Sequence, residues 1–136
     1  MAIVALALVL LLLAAGAGCG GDDGAEDPPL EGTAWTLVGG VGPVGDEPPT
    51  LSLEEGQASG FAGCNRFRGG YESTDAELTF DALATTFMAC PEPQMQTETA
   101  YLAALEGVDS WTIENEELVL SGGDGELLRY RASPTR

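Results

Sequence analysis

Gly60-Phe61-Ala62-Gly63-Cys64-Asn65-Arg66-Phe67-Arg68-Gly69-Gly70-Tyr71 decides how the rest of the chain is read. One cysteine sits among glycines, aromatics and β-formers. A second segment, Ala84-Thr85-Thr86-Phe87-Met88-Ala89-Cys90, echoes it about two strands later. Phe61 belongs to a β-forming run that Gly63-Cys64-Asn65 interrupts. Glycine and asparagine tolerate positive φ, so a bulge or tight bend fits there. From Phe67 to Tyr71 the chain resumes an extended path.

Upstream of this stretch, residues 33–38 alternate with Trp35 and Leu37 on one face, a strand pattern. Residues 39–49 form a loop rich in glycine and proline. Residues 50–53 alternate again, 54–57 turn, and 58–62 pair back as a hairpin. Downstream, 73–76 turn and 77–80 form a strand with Leu78 and Phe80 inward. Residues 85–88 are a further β-branched and aromatic segment.

One helix is expected over about residues 93–106. Pro91 and Pro93 suit its entry. Met95, Leu102 and Leu105, with Tyr101 beside them, make one apolar stripe. Glu92 and Glu98 lie toward the positive end of its dipole. Gly107 suits its C-terminal stop. Strands at 110–113, 118–120 and 127–131 follow, separated by turns at 114–116 and 121–125. The sum is an α+β, mainly β chain. It forms a single small antiparallel curled sheet, or partly open barrel, of about eight short strands with one covering helix.

The chain has 136 residues, enough for one domain once a targeting segment is removed. Its formal net charge is −17, from 22 acidic residues against five arginines. A surface this acidic repels nucleic-acid phosphates, so no nucleic-acid partner is expected. With no histidine, nucleophile–histidine catalysis and imidazole metal ligation are excluded. With no lysine there is neither a P-loop nor a Schiff base. Carboxylate pairs are so abundant that none singles itself out, and no enzyme, cofactor or metal is expected. The acids near the turns, at 114–117 and 124–126, lack calcium-loop spacing and read as solvated turn residues.

Residues 2–18 are apolar or glycine and uncharged, and Gly16-Ala17-Gly18-Cys19 follows. Such a run ending in small residues reads as a signal peptide over 1–18. A cysteine directly after it resembles the lipobox of bacterial lipoproteins, where that cysteine takes the lipid. The alternatives are a plain secretory signal cut near Ala17 and an uncleaved anchor; 17 residues is the short edge of a spanning helix. All three place the domain outside the cytoplasm. Residues 19–29 would then be the lipidated Cys19 and a flexible acidic tether, 30–132 the domain, and 133–136 a frayed end.

If Cys19 carries lipid, Cys64 and Cys90 remain as an even pair in an oxidising compartment. A disulfide between them would close a loop of about 26 residues, stabilising the fold by roughly 3.5 kcal/mol on the chain-entropy model. Two buried free thiols are the alternative. Asn65, Arg66 and Arg68 form a candidate binding loop: the two arginines are the only cations between Cys19 and Arg129, and could take a carboxylate or phosphate. The plainer reading is that they neutralise neighbouring acids while Asn65 serves a turn.

These residues resemble a known family. Leu30-Glu31-Gly32-Thr33-Ala34-Trp35-Thr36-Leu37, the Gly63-Cys64-Asn65-Arg66-Phe67 segment with Gly69 and Tyr71, and the segment ending Met88-Ala89-Cys90 look like the META domain, as do Glu98, Tyr101-Leu102 and Leu118-Val119-Leu120. The resemblance is to HslJ-like bacterial envelope proteins, often lipoproteins, and covers about 30–132. It implies a small β-rich domain with one helix and stress-associated phenotypes in some members. It implies no reaction and no catalytic residue. The expected function is a non-enzymatic, membrane-anchored and monomeric envelope lipoprotein with a binding or structural role. The alternative is a small-ligand or protein-inhibitor module using an open end of the sheet, which needs a concave pocket or an uncovered aromatic patch.

Overall fold

A computed structural model describes residues 26–42 and 46–134. The expected signal peptide and Cys19 lie outside the described residues. Nine strands and one helix follow in order: β1 (Ala34–Gly39), β2 (Thr50–Glu54), β3 (Gln57–Phe61), β4 (Arg66–Ser73), β5 (Leu78–Phe80), β6 (Ala84–Thr85), α1 (Glu92–Glu106), β7 (Ser110–Glu114), β8 (Glu117–Gly122) and β9 (Gly125–Ala132). The sheet order is β5-β4-β3-β2-β1-β9-β8-β7, with β6 added beside β4. All pairings between named strands are antiparallel.

The two edges of this order meet. Glu77 and Ser110 form an isolated bridge. On either side of it the Leu78 amide donates to the Asp109 carbonyl (3.2 Å) and the Trp111 amide to the Ala76 carbonyl (3.1 Å). The sheet is therefore a nearly closed barrel, which removes most of the unpaired edge that an open sheet exposes. Alternation does the rest. Trp35 and Leu37, Leu51 and Leu53, Phe67 and Tyr71, Leu118 and Leu120, and Leu128 and Tyr130 all point inward and are buried.

The helix runs within a residue of its expected bounds, but its buried stripe differs. Thr97, Tyr101 and Leu105 are buried, at i, i+4 and i+8, whereas Met95 is 46% exposed. The barrel rim beside the first turns of α1 explains the exchange. A Cβ on Gly63 would lie 3.1 Å from Thr97 Cγ2 and 3.2 Å from the Gln94 carbonyl oxygen. The space at that contact admits a short side chain, not a methionine. Further along, Tyr101 enters the core, donating to the Thr50 carbonyl (3.0 Å) while its oxygen lies 2.8 Å from the Tyr130 hydroxyl. Gly107 also departs from expectation. It ends the helix at φ −89° with no left-handed turn. It belongs to a tight crossing instead: a Cβ on Gly122 would fall 2.3 Å from its carbonyl oxygen.

Two hairpins need left-handed backbone at both central positions, the geometry that matches strand twist. The β2–β3 turn places Glu55 (φ 49°) and Gly56 (φ 81°) there; the β7–β8 turn places Asn115 (φ 53°) and Glu116 (φ 65°). Asparagine adopts this region at little cost, glutamate only with strain. Glu116→Gly is expected to raise unfolding free energy by about 1 kcal/mol, read as a higher urea midpoint. The Glu116 amide, which donates to Asp27 (2.8 Å), survives the change. An unchanged or lower midpoint would reject the strain argument.

Candidate functional site

The stretch that decides the fold also builds the most connected polar cluster among the described residues. Gly60 comes first: a Cβ there would lie 2.2 Å from the Thr50 carbonyl oxygen, so only glycine lets β3 lie this close to β2. Gly63 then turns the chain at φ +117° against the helix. Cys64 follows and is disulfide-bonded to Cys90, with a Cα–Cα distance of 5.9 Å. The chain between the two cysteines is thereby tied back to the start of α1.

Asn65 is buried at this junction and uses every hydrogen-bonding position of its amide. Its Nδ2 donates to Glu98 Oε2 (3.0 Å) and the Met88 carbonyl (3.3 Å). Its Oδ1 accepts from the Met88 amide (2.6 Å) and the Thr86 hydroxyl (3.0 Å). Its backbone amide donates to Glu98 Oε1 (2.6 Å), and its carbonyl accepts from the Ala62 amide (2.8 Å). One side chain thus joins β4, the 86–88 segment and α1. The candidate binding loop is split by this arrangement: Asn65 is wholly engaged inside the protein and presents nothing to a ligand.

Arg66 and Arg68 lie on the other side of β4. Both are exposed, two residues apart and on the same face of the strand. Among the described residues no carboxylate lies within ion-pair distance of either. The contrast is with β9. Arg129 bonds Glu117 Oε2 (2.8 Å) and Glu126 Oε1 (2.5 Å), and Arg131 bonds Glu117 Oε1 (3.0 Å). These bonds hold the Glu117 carboxyl below the usual carboxylate range. The acids near the β7–β8 and β8–β9 turns therefore serve in part as arginine partners.

Between β3, β4 and β6 the unpaired arginines border a hollow of about 430 Å³ whose lining includes Ser59, Phe67, Thr85 and Thr86. A neighbouring hollow of about 350 Å³ brings Glu54 and Glu55 to the far side of Arg68. Next to Thr86, Phe87 is 98% exposed and Met88 61%. The β-branched and aromatic segment at 85–88 is strand only as far as Thr85, because the Met88 amide and carbonyl both turn to Asn65 rather than to a neighbouring strand.

A family model for the META domain matches residues 28–134. The chain belongs to the META domain family. The match extends two residues beyond the expected domain at each end. Two solved structures share the fold of this META domain. One, described as the NMR structure of a protein from Burkholderia xenovorans, is 32% identical with a TM-score of 0.66, covering 78% of this chain and 85% of that one. The other, also an NMR structure, is 26% identical with a TM-score of 0.59, covering 76% and 91%. No curated protein matches the chain. The sequence pattern pointed to the cysteines and to Arg66 and Arg68. It missed Thr86, Met88 and Glu98 as partners of Asn65. No local signal could have found them, since they lie 21 to 33 residues away along the chain.

Proposed function

We propose that this META-domain protein is a non-catalytic lipoprotein of the bacterial cell envelope, anchored through a lipid on Cys19. Its barrel stands off the membrane on an acidic tether and acts by binding or by supporting the envelope, including under stress. The observation that carries the reading is the Cys64–Cys90 disulfide beside the buried Asn65. Such a bond persists in oxidising compartments and not in a reducing cytoplasm. An apolar leader ending at a cysteine leads to that same side of the membrane.

The test is the intact mass of the protein extracted from membranes, alkylated with and without prior reduction. The expected result is a chain beginning at an acylated Cys19 that gains two alkyl groups only after reduction. A mature chain that starts elsewhere without lipid would overturn the anchor. Two alkyl groups gained without reduction would overturn the oxidised compartment.

A second reading, a ligand-binding module, is favoured by one observation: Phe87 is an uncovered aromatic beside a concave surface.

A further inference from the structure

We propose that the outer face of β4 is a binding site for a phosphate group carried on an apolar or aromatic body, held by Arg66 and Arg68. The inference goes beyond the envelope reading and does not depend on the lipid anchor.

The first support is how charge is distributed. With 22 acids available, Arg129 and Arg131 are both paired. Arg66 and Arg68 are left side by side and unpaired among the described residues. Two adjacent like charges raise each other's energy, and an anion placed between them relieves both. A carboxylate needs only one guanidinium fork; a phosphate presents enough oxygens to occupy two.

The second support is the shape and chemistry around the pair. Arg66 and Arg68 stand roughly 7 Å apart at strand spacing, at the rim of the 430 Å³ hollow. Ser59, which pairs with Arg68 across β3 and β4, adds a hydroxyl donor. Ala84, which pairs with Arg68 and is exposed, contributes apolar surface, and Phe87 is fully exposed one residue beyond Thr86. A phosphate bound by the arginines would leave its apolar body over this surface.

The third support is rigidity. The backbone that carries Arg66 is fixed on one side by the Asn65 hydrogen bonds and the disulfide. On the other, the Thr86 amide donates to the Arg66 carbonyl (3.1 Å). The two guanidiniums thus project from a preorganised strand, which lowers the ordering cost of binding. Glu54 and Glu55, beyond Arg68, set a negative wall on one side and leave the Arg66–Thr86 side as the entry.

The experiment is calorimetric titration of the full-chain protein at low salt. The probes are inorganic phosphate, phenyl phosphate, and water-soluble short-chain phosphatidylglycerol, with short-chain phosphatidylcholine as the zwitterionic control. Saturable binding of phenyl phosphate or phosphatidylglycerol is expected, weakened by salt and reduced about tenfold or more in the Arg66→Gln/Arg68→Gln double variant. The Arg129→Gln/Arg131→Gln variant, which changes net charge equally, is expected to bind as the unaltered protein does. Stronger binding of phenyl phosphate identifies a free phosphomonoester as the source; stronger binding of phosphatidylglycerol identifies a lipid headgroup. Absence of saturable binding to all three phosphate probes overturns the site. So does equal binding of phosphatidylcholine, or an equal loss in the two double variants.

Discussion

Asn65→Asp is expected to destabilise the protein by about 4 kcal/mol at neutral pH, more than most single substitutions. The change alters no volume. It converts the two donors that Asn65 directs at Glu98 Oε2 and the Met88 carbonyl into acceptors facing acceptors. It also sets a second carboxylate against Glu98 at a buried position. Two like charges this close push the new carboxyl's pKa up, as does burial. The sign follows. A folded-state pKa above the unfolded value means the charge-linked part of the variant's deficit is absent below the unfolded pKa and complete above the folded one, so acidification narrows the gap to wild type. Adding Glu98→Gln should recover on the order of half the loss. The glutamine amide donates to the new carboxylate while its oxygen still accepts from the backbone amide of residue 65. Urea denaturation of the four proteins at neutral and mildly acidic pH reads both effects. A loss under about 1 kcal/mol, or no recovery on adding Glu98→Gln, would show that Asn65 does not organise this junction.

Alkaline unfolding is the second large effect. The chain has three tyrosines, no lysine and no histidine, so above neutrality its phenols titrate almost alone among side chains. All three are buried. Burial pushes the Tyr71 phenol up to about 12, aided by its hydrogen bond to Glu31. Burial raises Tyr101 further still and lifts Tyr130 well above the ordinary value; the charge and hydrogen bond of Tyr101 add to the rise at Tyr130. Raised folded-state values mean the stabilisation is whole below the ordinary phenol pKa of about 10 and is lost as pH climbs beyond it. Each tyrosine approaches a loss of ~1.4 kcal/mol per pH unit, so three approach ~4 kcal/mol. Phenolate absorbance should therefore stay flat through pH ~10 and then rise for all three in one step, coincident with loss of the fold. Stepwise ionisation near the ordinary value with the fold intact would refute the burial of these hydroxyls.

Much of the architecture was legible because it rests on short-range patterns. Trp35–Leu37, Leu51–Leu53 and Leu118–Leu120 alternate as a half-buried sheet demands, and Gly56 marks its turn. Pro91, Pro93 and Gly107 bracketed the helix to within a residue. What was not legible depended on contacts between distant segments. Met95 belongs to an apolar stripe by spacing. Only the close approach of Gly63 to α1 shows that Thr97 occupies the buried place. Asn65 reads as a turn residue, and its real partners are on α1 and the 86–88 segment. Likewise nothing in the spacing of five arginines tells that Arg129 and Arg131 find carboxylates while Arg66 and Arg68 do not; that follows from β8 lying beside β9.

The neighbours of β1 also set how the domain carries force. β1 lies between β2 and β9, with Trp35 opposite Ala132 and the Ser133 amide donating to the Ala34 carbonyl (2.7 Å). The two ends of the domain therefore leave the barrel side by side. Tension applied between them unzips β1 from β9 one rung at a time, a low-resistance geometry. Forced unfolding is governed by the unfolding barrier, so the barrel is mechanically soft when gripped by its two ends.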